Sequence, residues 1–163
     1  MSNQGIELAY NAGIDQLAAQ TTTMESLRTR ANNILAATAL FISFAAGVGL
    51  INTDPSRGAV LHPTAGVLLF AVVVALSCCA LYVVWPAKNW VFVTSAKKIL
   101  ERYDAGDDEA AIRRYVIGEL IEGAKSNHAK MKAKQKAFRW AASLLVAEIV
   151  LLVGVLLTQQ IGS

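Results

Sequence analysis

The chain has 163 residues, of which 55% are hydrophobic and 17% charged, with a formal net charge of +3. A soluble domain carries about a quarter charged residues, and here the deficit is confined to three long blocks almost free of charge, a pattern that argues for a membrane protein and against an ordinary soluble domain. The small positive surplus is accounted for by membrane topology, which leaves no dedicated basic patch for duplex nucleic acid.

Taken in chain order, residues 1–33 read as a cytoplasmic N-terminal amphipathic helix, because Tyr10, Ile14, Leu17, Thr21, Met24, Leu27 and Ala31 recur at helical steps. No proline or glycine intervenes after Gly13, so this helix is expected to run directly into a first span, 34–51, "ILAATALFISFAAGVGLI". An outer loop, 52–63, carries the turn residues Asp54, Pro55, Ser56, Arg57 and Gly58, and Pro63 suits the first turn of the next helix. The second span, 64–85, "TAGVLLFAVVVALSCCALYVVW", stops at Pro86.

A cytoplasmic helical region, 86–139, follows. "SAKKILERY" predicts a short helix with Ser95 as its N-cap, and "DAGDD" predicts a break. Asp107, Asp108 and Glu109 then place negative charge at the start of another helix, where the dipole favours it. Ile112, Val116, Leu120, Ala124, Met131 and Phe138 carry an apolar stripe onward to a third span, 140–158, "WAASLLVAEIVLLVGVLLT". One helix of roughly 75 Å is therefore expected from about 108 to 158, leaving an outer tail, 159–163. A crossing of roughly 30 Å takes about 20 helical residues, with a lower limit near 17, so all three blocks qualify and the first is short.

Orientation follows from the basic residues. Arg28 and Arg30 precede the first span and the 87–139 stretch is rich in lysine and arginine, whereas the outer loop has only Arg57 and the tail none. This predicts a multi-pass membrane protein with the N-terminus and the long 86–139 region cytoplasmic and the short loop and C-terminus outside. Tyr82, Trp85, Trp90 and Trp140 fall at the expected inner interface. Each apolar stripe outside the membrane needs a partner, and three spans make a small core, which favours a homo-oligomer.

Motifs of catalysis are absent: no nucleophile elbow, phosphate-cradling loop or zinc helix occurs, and His62 and His128 fall on opposite sides of the predicted membrane. Cys78 and Cys79 lack ligand spacing, and "DAGDDE" lacks the spacing of a calcium loop. No enzyme, cofactor or metal is expected. The basic run "KMKAKQKAFRW" puts Lys130 and Lys134 on one side of a helix and Lys132, Lys136 and Arg139 on the other. The plainer reading is a collar on lipid headgroups; the sharper one is an anion or nucleotide site shared with Arg113 or Arg114. Ala39, Ser43 and Gly47, and likewise Ala71, Ala75 and Cys79, form small-residue stripes suited to ordinary bundle packing or, as the functional reading, to a gate or an oligomer seam.

Glu148 is the exception within the third span, about 13 Å beyond Arg139 and so near mid-membrane. An acid there must face the bundle or water. Ser43 and Ser77 lie at comparable depth as hydrogen-bond partners. Two readings stand together: a neutral Glu148 holding helices together, or a ring of Glu148 carboxylates lining a cation pathway in an oligomer.

The order of parts, with "SLRTRANNILAATALFIS" at the entry of the first span, "WPAKNWVF" after the second and "NHAKMKAKQKAFRWAASLLVAEIV" leading into the third, resembles SLATT-class proteins and the transmembrane effectors of Pycsar antiphage systems. The likeness is architectural and covers nearly the whole chain. Pycsar effectors show an Asp and a Lys at the first span's entry, where this chain has Arg28, Arg30, Asn32 and Asn33, so no ligand residue carries over. The resemblance implies a membrane-permeabilising effector triggered by a nucleotide second messenger. The expectation is thus an all-α protein, an integral membrane three-helix bundle with cytoplasmic helical extensions, acting as a channel-like effector. The other expectation is a passive membrane scaffold whose cytoplasmic helices dock a soluble partner.

Overall fold

A computed structural model describes residues 3–47, 63–92 and 94–161. Among these residues the chain is all-α, with no strand: α1 spans Asn3–Gly47, α2 Pro63–Val84, α3 Ala96–Asp104 and α4 Glu109–Ile161. The predicted outer loop up to His62, the end of the first apolar block (48–51) and the last two residues of the tail lie outside the described residues.

The boundaries have local causes. Helix α2 starts at Pro63 and ends just before Pro86, with Trp85 N–H still donating to the Leu81 carbonyl at 2.8 Å. Helix α3 stops because Gly106 adopts φ +89°, which lets Gly106 N–H reach the Tyr103 carbonyl and Asp107 N–H reach that of Arg102, at 3.0 and 3.1 Å. This is the Schellman arrangement that a left-handed glycine permits. Asp108 then caps α4, its Oδ1 accepting from Ala111 N–H at 2.7 Å. Ser95 differs from expectation: its side chain makes no capping bond, and its backbone carbonyl alone accepts the first turn's N–H groups of α3.

The buried line of α1 also differs from the predicted stripe. Ile6, Gly13, Gln20, Leu27 and Ile34 repeat at sevens, as do Leu17, Met24, Ala31, Thr38 and Ala45, and all are buried. Tyr10 and Ile14 are 36% and 38% exposed instead. The stripe moves because small or hydrogen-bonding residues suit the close side. A Cβ on Gly13 would stand 3.1 Å from Leu120 Cδ1, and Gln20 Nε2 donates to the Ala124 carbonyl at 3.0 Å. On α4 the same period appears as Leu120, Asn127, Lys134, Ala141 and Glu148, each buried. Seams with a seven-residue period are those of helices packed at shallow angles, and polar residues on them fix register at some cost in stability.

By internal contacts the chain forms two compact units. One takes the chain up to Ser26 together with Pro86–Ala133. Its core is Leu17, Val116, Leu120 and Ala124, flanked by Ile99, Ile112 and Tyr115. Exposed ion pairs decorate it: Lys98 with Glu119 at 3.3 Å, and Arg102 with Asp107 at 3.0 Å while its guanidinium lies 4.0 Å over the Tyr115 ring. In the same unit the segment after Pro86 is strapped to α4. Asn127 accepts from Val91 N–H at 3.1 Å and donates to the Val91 carbonyl at 2.6 Å. Gly123 makes room, since a Cβ there would meet Val91 Cγ1 at 2.8 Å. Asn89, at φ +56°, turns its carbonyl to Lys130.

The other unit takes Leu27–Trp85 and the chain from Lys134 onward. Its helices meet through Ile34, Leu76, Ala80 and Ala141, through Leu27, Ala31 and Val83, and through Ala45 and Leu152. Much of its outer surface is apolar: Leu40, Phe44, Val67, Leu68, Phe70, Leu81, Val146, Val150 and Leu157 are all exposed. Cys78 is exposed and Cys79 half-buried on α2, and they form no disulfide. The stripe Ala39, Ser43 and Gly47 lies on the exposed side of α1, so it does not serve packing within the chain. Both α2 and α4 are long and apolar enough to cross a membrane. The first apolar block is helical as far as Gly47.

Candidate functional site

Glu148 is fully buried on α4, in the apolar unit. Both carboxyl oxygens are sealed from solvent and neither makes a hydrogen bond. A buried carboxyl left unsatisfied costs about 1–3 kcal/mol even when neutral, and more when ionised. Other polar side chains on the same seven-residue line are matched: Asn127 holds Val91, and the Lys134 ammonium takes carbonyls of α2. Glu148 stands apart from them.

The polar group beside it is the Thr38 hydroxyl of α1, within electrostatic reach but without hydrogen-bond geometry. Neither serine named as a partner bonds to Glu148. Ser43 is exposed and donates to its own helix at the Ala39 carbonyl, 2.8 Å away, and Ser77 is half-buried. Thr38 was hidden in the sequence because it looks like any small residue of an apolar block; its place on the seven-residue line was the available signal. Glu148 also belongs to the wall of a cavity of about 270 Å³, together with Ile42 and Ala45 of α1, Gly66, Leu69, Phe70 and Val73 of α2, and Leu152 of α4. Apart from Glu148 this wall is apolar.

The basic run divides by face. Lys132, Lys136 and Arg139 are exposed and free to meet headgroups or anions. Lys130 is half-buried with its ammonium on the Asn89 carbonyl. Lys134 is buried and donates to the carbonyls of Tyr82 at 3.3 Å, Val83 at 2.8 Å and Trp85. Tyr82 and Val83 lie in the last turn of α2 and Trp85 just follows it, so Lys134 serves as a C-cap supplied by another helix. Its position inside the headgroup collar is thereby corrected: no N–H is left for a phosphate. Burial, and then the nearby Arg28 charge, push its pKa below the ordinary lysine value.

Arg113 and Arg114 are both exposed on α4. Arg113 borders a groove of about 370 Å³ with Glu7, Tyr10, Asn11 and apolar side chains, and its Nη2 is 2.6 Å from Glu109 Oε1. With Glu109 on the guanidinium and Glu7 in the same wall, the groove offers an anion no surplus positive charge. Groups of three or more histidine, cysteine or acidic side chains able to hold a metal do not occur among the described residues.

Compared with models of known protein families, with curated proteins and with solved structures, the chain matches none.

Proposed function

We propose that this is a non-enzymatic, multi-pass membrane protein that crosses the bilayer three times and acts, as a homo-oligomer, as a gated permeabilising effector whose working group is Glu148. The observation that carries the reading is the fully buried, unbonded carboxyl of Glu148 within an apolar unit, since intramembrane acids are rare, expensive and usually functional. The exposed leucine, valine and phenylalanine side chains of that unit suit lipid, and exposed Tyr82, Trp85 and Trp140 suit an interfacial belt. On this reading the arrangement described above is the shut one. Opening draws α1 away from α4, so that Glu148 meets water and carboxylates of neighbouring copies line a cation path. The likeness to SLATT-class and Pycsar effectors suggests a bacterial inner-membrane setting, antiphage defence and a nucleotide trigger.

The test is ion and dye release from liposomes holding the protein, alone and with cyclic nucleotides. Release by the natural sequence and an altered cation flux in Glu148→Gln are expected. Identical flux from the two would remove Glu148 from the pathway. A second reading, a scaffold that docks a soluble protein, is favoured by the exposed Leu8, Leu100, Tyr103 and Ile121 of the more polar unit. Silent liposomes together with a co-purifying soluble protein would select it.

A further inference from the structure

The geometry points to the cavity beside Glu148 as a binding site for a lipophilic ammonium compound, a primary or secondary amine carried on a small apolar body. Its volume of about 270 Å³ lies just below the ~300–1,000 Å³ typical of drug-sized pockets, which suits one aromatic ring with a short arm. Leu69, Phe70, Val73 and Leu152 give that body an apolar wall. One polar residue completes the wall, and both of its oxygens lack donors. An ammonium brings two or three N–H donors and the opposite charge to that one carboxyl. Both oxygens are sealed in this arrangement, so an occupant is met only once the Glu148 side chain rotates towards the cavity.

Other occupants satisfy less of the site. A lipid tail would fill the wall and leave the carboxyl unbonded. A lone water needs about two to four polar partners, and the wall supplies Glu148 alone. A hard divalent cation takes about six oxygens, against the Glu148 carboxyl and the neighbouring Thr38 hydroxyl. The inference goes beyond permeation and stands on the cavity and the carboxyl whatever the protein conducts.

The experiment uses the full chain in nanodiscs of phosphatidylcholine, a lipid with no primary amine, with 2-phenylethylamine as probe and 2-phenylethanol as its uncharged counterpart. Binding is read by ligand-observed NMR and by the shift in melting temperature. The natural sequence is expected to hold the amine at least about tenfold more tightly than the alcohol, as charge-assisted bonds are stronger than neutral ones. Glu148→Gln should bring the two to equal affinity, and Val73→Phe, which fills the cavity and keeps the acid, should weaken both. Equal affinity for amine and alcohol in the natural sequence, or a preference that survives Glu148→Gln, would overturn the site. Phosphatidylethanolamine added to the discs separates the sources of the ammonium: competition with the probe supports a lipid amine at the site, and its absence supports a free one. Because the readout is binding, a protein that holds the amine but releases nothing from liposomes would sink the permeation proposal and leave this one standing.

Discussion

At position 134 a lysine that counts, in the sequence, as one more positive charge before a span directs its ammonium at the carbonyls ending α2. Replacing it with methionine keeps the stem and removes the donors, so Lys134→Met should lower stability by about 1–3 kcal/mol through unsatisfied carbonyls, measured by thermal unfolding in detergent. Lys132→Met, at an exposed position, should change little. Proton linkage separates two lysines further. The pKa of Lys134 lies below the ordinary 10.5, so its contribution to stability grows as pH rises from its folded value towards 10.5. Lys98, raised by its hydrogen bond and charge pairing with Glu119, contributes fully below 10.5 and loses that contribution as pH climbs past its folded value. NMR of ¹³C-labelled lysines should show Lys134 titrating at lower pH than Lys98; the reverse order would refute both environments. At this scale Glu148 was legible from one charged letter in an apolar run. The role of Lys134 was not, because alternate lysines look equivalent until a seven-residue step from Asn127 singles one out.

The element scale shows why α4 carries a glycine and an asparagine one turn apart in the middle of a helix, where both are poor helix formers. Gly123 admits Val91, and Asn127 bonds the Val91 backbone on both sides, as a neighbouring strand would. Gly123→Ala should therefore destabilise the polar unit, despite alanine's better propensity, because Val91 must shift to admit the methyl. Asn127→Ala should abolish slow hydrogen exchange at the Val91 amide and leave exchange along α4 unchanged. Unaltered protection at Val91 in Asn127→Ala would show that the strap is held by other contacts. Helix ends were legible wherever chemistry marks them: Pro63, Pro86, Gly106 and Asp108 stand where helices start or stop. The buried face of α1 departs from the expected stripe at Tyr10 and Ile14 because the expected steps of three and four run through apolar residues, whereas the seam contains Gly13, Gln20 and Thr38, which a hydrophobic count passes over.

For the whole molecule, composition already separated apolar blocks from polar ones, and the described helices α2 and α4 meet the length and composition of membrane crossings. The proposed three-crossing topology predicts that single cysteines introduced between 88 and 136, in a chain freed of its own thiols, react with an impermeant maleimide only after the inner face is opened. Labelling of those positions on intact cells would refute it. What a letter string could not carry is the pairing of faces: that the small stripe of Ala39, Ser43 and Gly47 turns outward and that the Thr38 hydroxyl lies beside the acid depend on how helices rotate against one another. One feature of α2 offers a direct experimental handle. Its adjacent thiols, Cys78 turned out and Cys79 turned partly in, are the chain's own two cysteines. If α2 crosses the bilayer as proposed, a nitroxide on the first acts as a native depth gauge, with no substitution needed, while the reactivity of the second reports how tightly the neighbouring helices close.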